Sequence, residues 1–554
     1  MFERALEGRK KSLSDDHPLV LEIVDNIGGV YFRQNNFSES EKMRQMALTG
    51  FEKSLGPNHF STLLAVNNLG IVYTRVGRMD DAEKMLRRAL DGYTETVGPE
   101  HPTATTVLNN LGDLYFRLGR LQDAEEVLNK ALAGREKSLG PGHLSTLQSV
   151  HDLALLYRGQ GRLSESTKLF ERALAGQEAA LGLHHNATVR TVRELGAVHE
   201  QLGQLQSAED LYRRAYAEIE KALGDTHPNS LAILCELAMV LRKQQKFAEA
   251  GAAFQKAVDA HGTVLGPDHP ATLRCVSNLG IVLGLNGDYE RAEELYQQSL
   301  QDHREKLKQH DPNMVEIANN FGLVLEIHGK LPEAEDMYRQ ALQGRKETLG
   351  SQHFDTINTM KNLGRVLLDI PNFTEAEVLY RELAKRQKEA LGPNHADTLA
   401  SINNLGLALK WQQKYAEAEA AHTEAVSGFE ALYGPNHPET LRSVNNLALL
   451  LDQEGKYPEA EELHRRIVEG RKRALGPEHP DTLISLVNLG LALGSQDKLA
   501  EEELVYREAL EGQEKVLGAS HENTLTTRHN LGTNLVLQGR HDEAESIRHV
   551  AERA

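Results

Sequence analysis

The chain repeats itself every 42 residues, and this period constrains its fold more than any other property. A histidine marks each period, at 17, 59, 101, 143, 185, 227, 269, 353, 395, 437, 479 and 521. Asp311 fills the slot between His269 and His353. The motif is fullest from Gly434 to Leu450, which reads GPNHPETLRSVNNLALL. A repeat of this length is one supersecondary element, too small to bury its apolar face without stacking on its neighbours. The 554 residues, enough for roughly three or four ordinary domains, therefore need no internal boundary. Residues 1–16 read as the tail of an incomplete N-terminal repeat, because Ala5 and Gly8 align with Ala47 and Gly50. Residues 17–554 read as thirteen tandem repeats in one continuous array, numbered here 1 to 13 from His17 to His521. The unpaired first helix, and the lack of a polar capping helix at Ala554, point to a piece of a larger protein.

Each period holds two predicted helices. In repeat 2, Leu63, Val66, Leu69, Val72 and Tyr73 recur at helical spacing. Gly77 closes that helix and Arg78–Asp81 makes the turn. The second helix runs over 80–97, with Ala82, Met85, Leu86, Ala89, Leu90 and Tyr93 on its apolar side, and Gly98 stops it. Pro often follows the marker histidine, as at 18, 102, 228, 270, 312, 438 and 480. It fits the first turn of a helix, where its missing N–H costs nothing. The predicted fold class is all-α.

Small residues fix the expected packing. Eleven positions after each marker stands Gly or Ala, as at Gly28, Gly70, Gly196, Ala238 and Gly406. A glycine inside a helix costs about 1 kcal/mol relative to alanine, so its recurrence predicts a second backbone lying close. A second small site, at Ala82, Ala124, Ala208 and their equivalents, is followed four residues later by Phe170, Tyr212, Phe254, Tyr296, Tyr338, Tyr380 or Tyr506 in seven repeats. Large side chains beside small ones allow two helices to interlock.

The order Leu-Gly, then Gly, Ala, Tyr or Phe, and Ala resembles the tetratricopeptide repeat, here carried by Leu405-Gly406, Ala418 and Ala425 among others. The 42-residue period, the LGPxHPxTLxxxNNLGxxL first helix and the long second helix resemble the kinesin light chain and nephrocystin-3 variety. This resemblance spans essentially the whole chain. It implies a right-handed superhelical α-solenoid of about thirteen helix-turn-helix repeats, with the first helices lining a concave groove.

On those first helices, the face opposite the Leu-Gly pair is rich in asparagine. The candidates are Asn67, Asn68, Asn109, Asn110, Asn278, Asn319, Asn320, Asn362, Asn403, Asn404, Asn445, Asn446, Asn488 and Asn530. An amide both donates and accepts, so it matches both polar groups of an extended peptide backbone. The row resembles the asparagine ladder of peptide-binding family members. Two uses stand open: contact with a peptide, or hydrogen bonds from one repeat to the next. Mid-chain, Asp152, Glu194 and Glu236 replace the amide, and Arg158, Arg190, Arg193, Arg242, Lys243 and Arg274 join the same face. They read either as a clamp for acidic peptide segments or as a network closed on those carboxylates. Trp411 falls at the mouth of the groove, to stack on a ligand or to plug a helix end.

The remaining composition narrows the function. The formal charge of −18 argues against nucleic acid and anionic membranes as partners. No apolar run is long enough to cross a bilayer. Two cysteines, Cys235 and Cys275, rule out a disulfide framework and fit a reducing, cytoplasmic setting; both read as reduced and structural. Markers in register on stacked helices lie on the order of 10 Å apart, too far to share an ion, so no metal and no cofactor is expected. No catalytic motif is found: His199-Glu200 is followed by Gln201, Leu202 and Gly203, not by a second histidine. The expected function is a non-enzymatic scaffold binding extended peptide segments of other proteins. Alternatives are a cargo adaptor of the kinesin light chain kind and a regulatory array belonging to a larger enzyme or nucleotide switch. Self-association through uncapped ends is a further expectation.

Overall fold

The computed structural model describes residues 2–10, 12–303 and 311–549. Those residues form α-helices joined by short turns, with no strand among them. Every repeat is a helix pair, and the chain is an all-α solenoid. Two compact units divide it, Met1–Cys275 and Val276–Ala554. In each unit the second helix of a repeat packs on the first helix of the next, and successive first helices also meet directly.

The marker histidine is the start signal of each repeat. In all twelve cases Nδ1 accepts the backbone N–H two residues on, at 3.1–3.3 Å. This satisfies one of the donors that a helix N-terminus leaves open. Asp311 does the same with a carboxylate, accepting from Asn313 at 2.9 Å. The stop signal is the preceding glycine. Gly434 holds φ +88° and ψ 169°, a conformation closed to residues with a Cβ. Stop and start are tied together by the threonine of the motif: Thr440 Oγ1 donates to Gly434 O at 2.8 Å, and Thr62, Thr146, Thr356 and Thr482 repeat the bond.

Two details differ from expectation. The turn of repeat 2 is shorter than Arg78–Asp81, because the second helix already begins at Met79. Arg78 Nε bonds Asp81 Oδ2 at 2.9 Å, and acidic residues in a first turn suit the helix dipole, so 79–81 are drawn into the helix. The recurrent glycine of the first helix faces a side chain first, and at Gly28 the Ser40 carbonyl as well, 3.3 Å from where a Cβ would stand. A Cβ on Gly196 would lie 2.2 Å from the Tyr212 hydroxyl, and one on Gly280 2.2 Å from the Tyr296 ring. Gly322, Gly364 and Gly490 face Tyr338, Tyr380 and Tyr506 in the same way. These tyrosines are at most 1% exposed. Where the small residue is alanine, as at Ala154 and Ala238, the ring in the same register is Phe170 or Phe254. In these seven repeats glycine goes with tyrosine and alanine with phenylalanine, a volume match of the kind close-packed interiors demand, while Leu86, Leu128 and His422 meet the glycine in others. Burying one such ring is worth about 1.5–3 kcal/mol, more than the cost of the glycine.

Candidate functional site

The polar face of the first helices is built from two positions, eight and nine residues after the marker. A rule links them in the first unit: position nine of one repeat bonds position eight of the repeat before. Asn68 Nδ2 donates to Asp25 Oδ2 at 2.9 Å, and Asn110 Nδ2 to Asn67 Oδ1 at 2.8 Å. Asn109 Nδ2 donates to Asp152 Oδ2 at 3.1 Å, and Asn109 also shares bonds with Ser149. Arg193 reaches Glu236 Oε1 at 2.6 Å. Each bond spans one repeat plus one residue, so it joins neighbours side by side. Asn67 is only 6% exposed. Burial pushes the Asp152 carboxyl up to about 6, against the Gln148 amide and the nearby Arg190 and Arg135, which favour the charged form.

The basic side chains of repeats 4 to 7 have partners inside the chain. Arg158 pairs with Glu194, Arg190 donates to Gln148 Oε1 at 2.6 Å, and Lys243 meets Glu200 at 2.6 Å. Arg242 and Arg274 are engaged as well. Carboxylates and an amide oxygen of the same helix layer thus hold Arg158, Arg193, Lys243 and Arg190. The two cysteines sit in the same unit with their sulfurs 3.6 Å apart, both as free thiols.

In the second unit the rule holds once, where Asn320 Nδ2 donates to Ser277 Oγ at 2.7 Å. Beyond it the position-eight residues Asn319, Lys361 and Asn403 are taken by other groups. Asn319 Oδ1 accepts from Thr359 at 3.0 Å and from Arg345 at 3.4 Å. Lys361 is held by Asp397 at 2.6 Å. Asn403, 1% exposed, is bonded to the buried ring of His422 at 2.9 Å. Asn278 is engaged, and Asn404 Nδ2 turns to the Tyr380 hydroxyl at 3.2 Å. The amides of Asn362, Asn445, Asn446, Asn488 and Asn530 have no side-chain partner among the described residues, and all five are partly open to solvent. Three residues after Asn404, Asn446 and Asn488 come Leu407, Leu449 and Leu491, on the same helix face and partly or fully exposed. Trp411, 57% exposed, stacks on Phe373 at 5.8 Å, with Lys410 Nζ 5.5 Å from its ring.

Sequence reasoning lined up the asparagines but missed what sorts them. Ser277, Thr359, Arg345 and His422 decide which amides are occupied, and they lie 19 to 43 residues away from the amides they bond. Part of the signal was present in the position-eight column, which reads Asp, Asn, Asn, His, Arg, Cys, Ser, Asn, Lys, Asn, Asn, Val and His from repeat 1 to repeat 13.

No helix among the described residues is long and apolar enough to cross a membrane. A comparison with curated protein sequences finds no match. Among solved structures the chain is similar to two crystal structures of kinesin light chain-like, nearly identical TPR-like repeats from Podosopora anserina, one of them a single-substitution variant. They are 27% and 26% identical over 37% of this chain and 96% and 98% of theirs, with TM-scores of 0.35 and 0.34. Tetratricopeptide repeat models match residues 20–95, 61–137, 103–179, 145–217, 187–241, 229–305, 277–347, 313–389, 397–473, 445–515 and 505–547. Repeats of this kind generally mediate protein–protein interaction and are typically not enzymes. With its helix pairs, its recurrent small positions and these matches along nearly its full length, the chain belongs to the tetratricopeptide repeat family.

Proposed function

We propose that the chain is a scaffold that holds an extended segment of a partner protein along the first helices of repeats 9 to 13. The observation that carries this reading is the run of unpartnered, part-exposed amides at Asn362, Asn445, Asn446, Asn488 and Asn530, bordered by Leu407, Leu449 and Leu491. A polar group left without a partner inside the chain is free to bond a ligand, and the neighbouring leucines offer apolar area beside it. Main-chain bonds to amides give affinity with little demand on the peptide's side chains. Adjacent helices lie about 8–10 Å apart and an extended chain rises about 3.4 Å per residue. One amide pair therefore meets roughly every third residue, and five repeats span on the order of 11 residues of peptide. The arginines and lysines of the first unit, already engaged with carboxylates and amide oxygens, have no part in this reading.

The test is selection of binders from a random 12-residue peptide library on the full chain, followed by affinity measurement. Asn446→Ala with Asn488→Ala, and separately Leu449→Glu with Leu491→Glu, are expected to weaken the selected peptides at least about tenfold, a loss of ~1.4 kcal/mol, with thermal stability kept. Unchanged affinity in both variants, or a library that yields no binder to the intact chain, would overturn the proposal.

A further inference from the structure

Cys235 and Cys275 lie on successive first helices, those of repeats 6 and 7, and a third residue joins them from the second helix of repeat 6. One ring nitrogen of His261 and both sulfurs lie within 4.8 Å of one another. The histidine is not a marker histidine: it stands outside the 42-residue register and caps nothing. Its Nδ1 is buried without a hydrogen-bond partner. A buried imidazole nitrogen left empty is uncommon, since such groups are nearly always satisfied. Leu231, Leu234, Ala257 and Ala260 pack around the cysteines, and this apolar wall keeps competing water away.

We infer that Cys235, His261 and Cys275 form a binding site for one thiophilic divalent cation of the zinc type. The spacing of the sulfurs supports this. Two thiolates bound to zinc at about 2.3 Å in a tetrahedral arrangement stand about 3.75 Å apart, and these stand 3.6 Å apart. That is too long for a disulfide and close to the edge of a zinc tetrahedron. The imidazole needs to shift inward by about 1 Å to complete three corners, because a zinc-bound nitrogen and sulfur are about 3.5 Å apart. The fourth corner is left to water or to an incoming ligand. The sulfur-to-sulfur contact and burial hold the Cys235 thiol well above its usual range, while the contact and the Arg274 guanidinium draw Cys275 below its own, so an incoming cation has to displace the Cys235 proton. Burial, helped by His269 and Arg274, lowers His261 and keeps its ring in the neutral form that ligates. Glu236 and Arg274 are the other charged groups near the sulfurs. Binding exchanges two thiol protons for one cation, so metal uptake releases two protons and leaves the three side chains and the ion together uncharged.

Cobalt(II) is the spectroscopic probe and zinc the competitor. The full chain, reduced and stripped with a chelator, is titrated with cobalt(II) under anaerobic conditions. The expected result is one cobalt per chain, with a near-ultraviolet sulfur-to-cobalt band and intense visible bands of a tetrahedral site, all erased by one equivalent of zinc. Cys235→Ser and Cys275→Ser should each remove the sulfur band. His261→Gln, a milder change at a half-buried position, should retain the fold and weaken the cobalt at least about tenfold. Circular dichroism melts of each variant separate lost binding from lost folding. The inference is overturned if the folded, fully reduced chain takes up no stoichiometric cobalt, or if His261→Gln and both serine variants bind it as well as the parent. It is also overturned if the protein purified without reductant carries a Cys235–Cys275 disulfide that re-forms in preference to metal uptake, which would make the pair a redox couple.

Discussion

The first-helix faces of the two units carry the same residue type in the same register and use it differently. In the first unit Asn68, Asn110 and Asn109 bond Asp25, Asn67 and Asp152 of adjacent repeats, and the row is closed on itself. In repeats 9 to 13, Asn362, Asn446, Asn488 and Asn530 bond nothing among the described residues. The asparagine does not decide its own role; the residue 43 positions upstream takes part in it, but an amide there is not enough, since Asn445 and Asn488 stand in that relation and stay unbonded among the described residues. For Asn446 that residue is Asn403, already held by His422. For Asn530 it is Val487, which has no polar atom to offer. A row of identical amides is therefore part mortar and part open surface, according to a column of the sequence that looks unremarkable.

The largest expected effect comes from the two buried histidines that flank this contrast. His151 in the first unit and His422 in the second are pushed down by burial to about 3 and about 4. Their unfolded value is near 6.5, so between that and the folded values the unfolded chain binds more protons, and stability falls as the pH falls. Each histidine should contribute about 3 kcal/mol of lost stability between pH 7 and pH 4. Urea unfolding at several pH values should show a smaller acid loss in His151→Gln and in His422→Gln than in the parent. An unaltered pH profile would mean that the rings are not buried as described. His422→Leu carries a further consequence, since it releases Asn403 to accept from Asn446 and should convert that pair to the first-unit pattern.

Next in size is the direct comparison of the two rows. Asn109→Ala leaves Asp152 Oδ2 without its donor, Oδ1 keeping the Gln148 amide, and should cost about 1–3 kcal/mol. Asn446→Ala, which breaks no bond within the chain, should stay within about 0.5 kcal/mol. Equal losses in chemical denaturation would dissolve the distinction between the units. A smaller gain is expected from Val487→Asn, which gives Asn530 a partner and should stabilise by roughly 0.5–1.5 kcal/mol while lowering any peptide affinity at that repeat. The smallest effect belongs to Arg193→Ala, whose pair with Glu236 is half exposed and should be worth less than about 1 kcal/mol, decreasing with salt.

Much of this molecule was legible because the period made each reading thirteen times over. The histidine cap, the glycine stop and the buried alanines follow from spacing alone. The glycine of the first helix was legible as a close approach, but the approaching group was not. Its identity depends on pairing Gly196 with Tyr212, and Ala154 with Phe170, across a turn. The state of each amide was less legible still. It depends on two columns read together one repeat apart, and on intruders such as Thr359, Arg345 and His422 that reach in from other helix positions. His261 was invisible next to twelve better-aligned histidines, because only the folded chain brings it beside the two thiols.

The socket between glycine and tyrosine has a consequence for how such a chain can change. Its two halves lie in the same repeat, as does the histidine cap, whereas the threonine tie joins the start of one repeat to the glycine that ends the one before. The bonds between positions eight and nine are shared between repeats and belong to neither. Duplicating or transplanting a single repeat would carry the socket and the cap along, while the threonine ties, the helix packing and the amide bonds at its two joints would have to be made anew. The order of the repeats is thus written at their seams, and an array built this way can lengthen or be shuffled without its modules having to be reinvented.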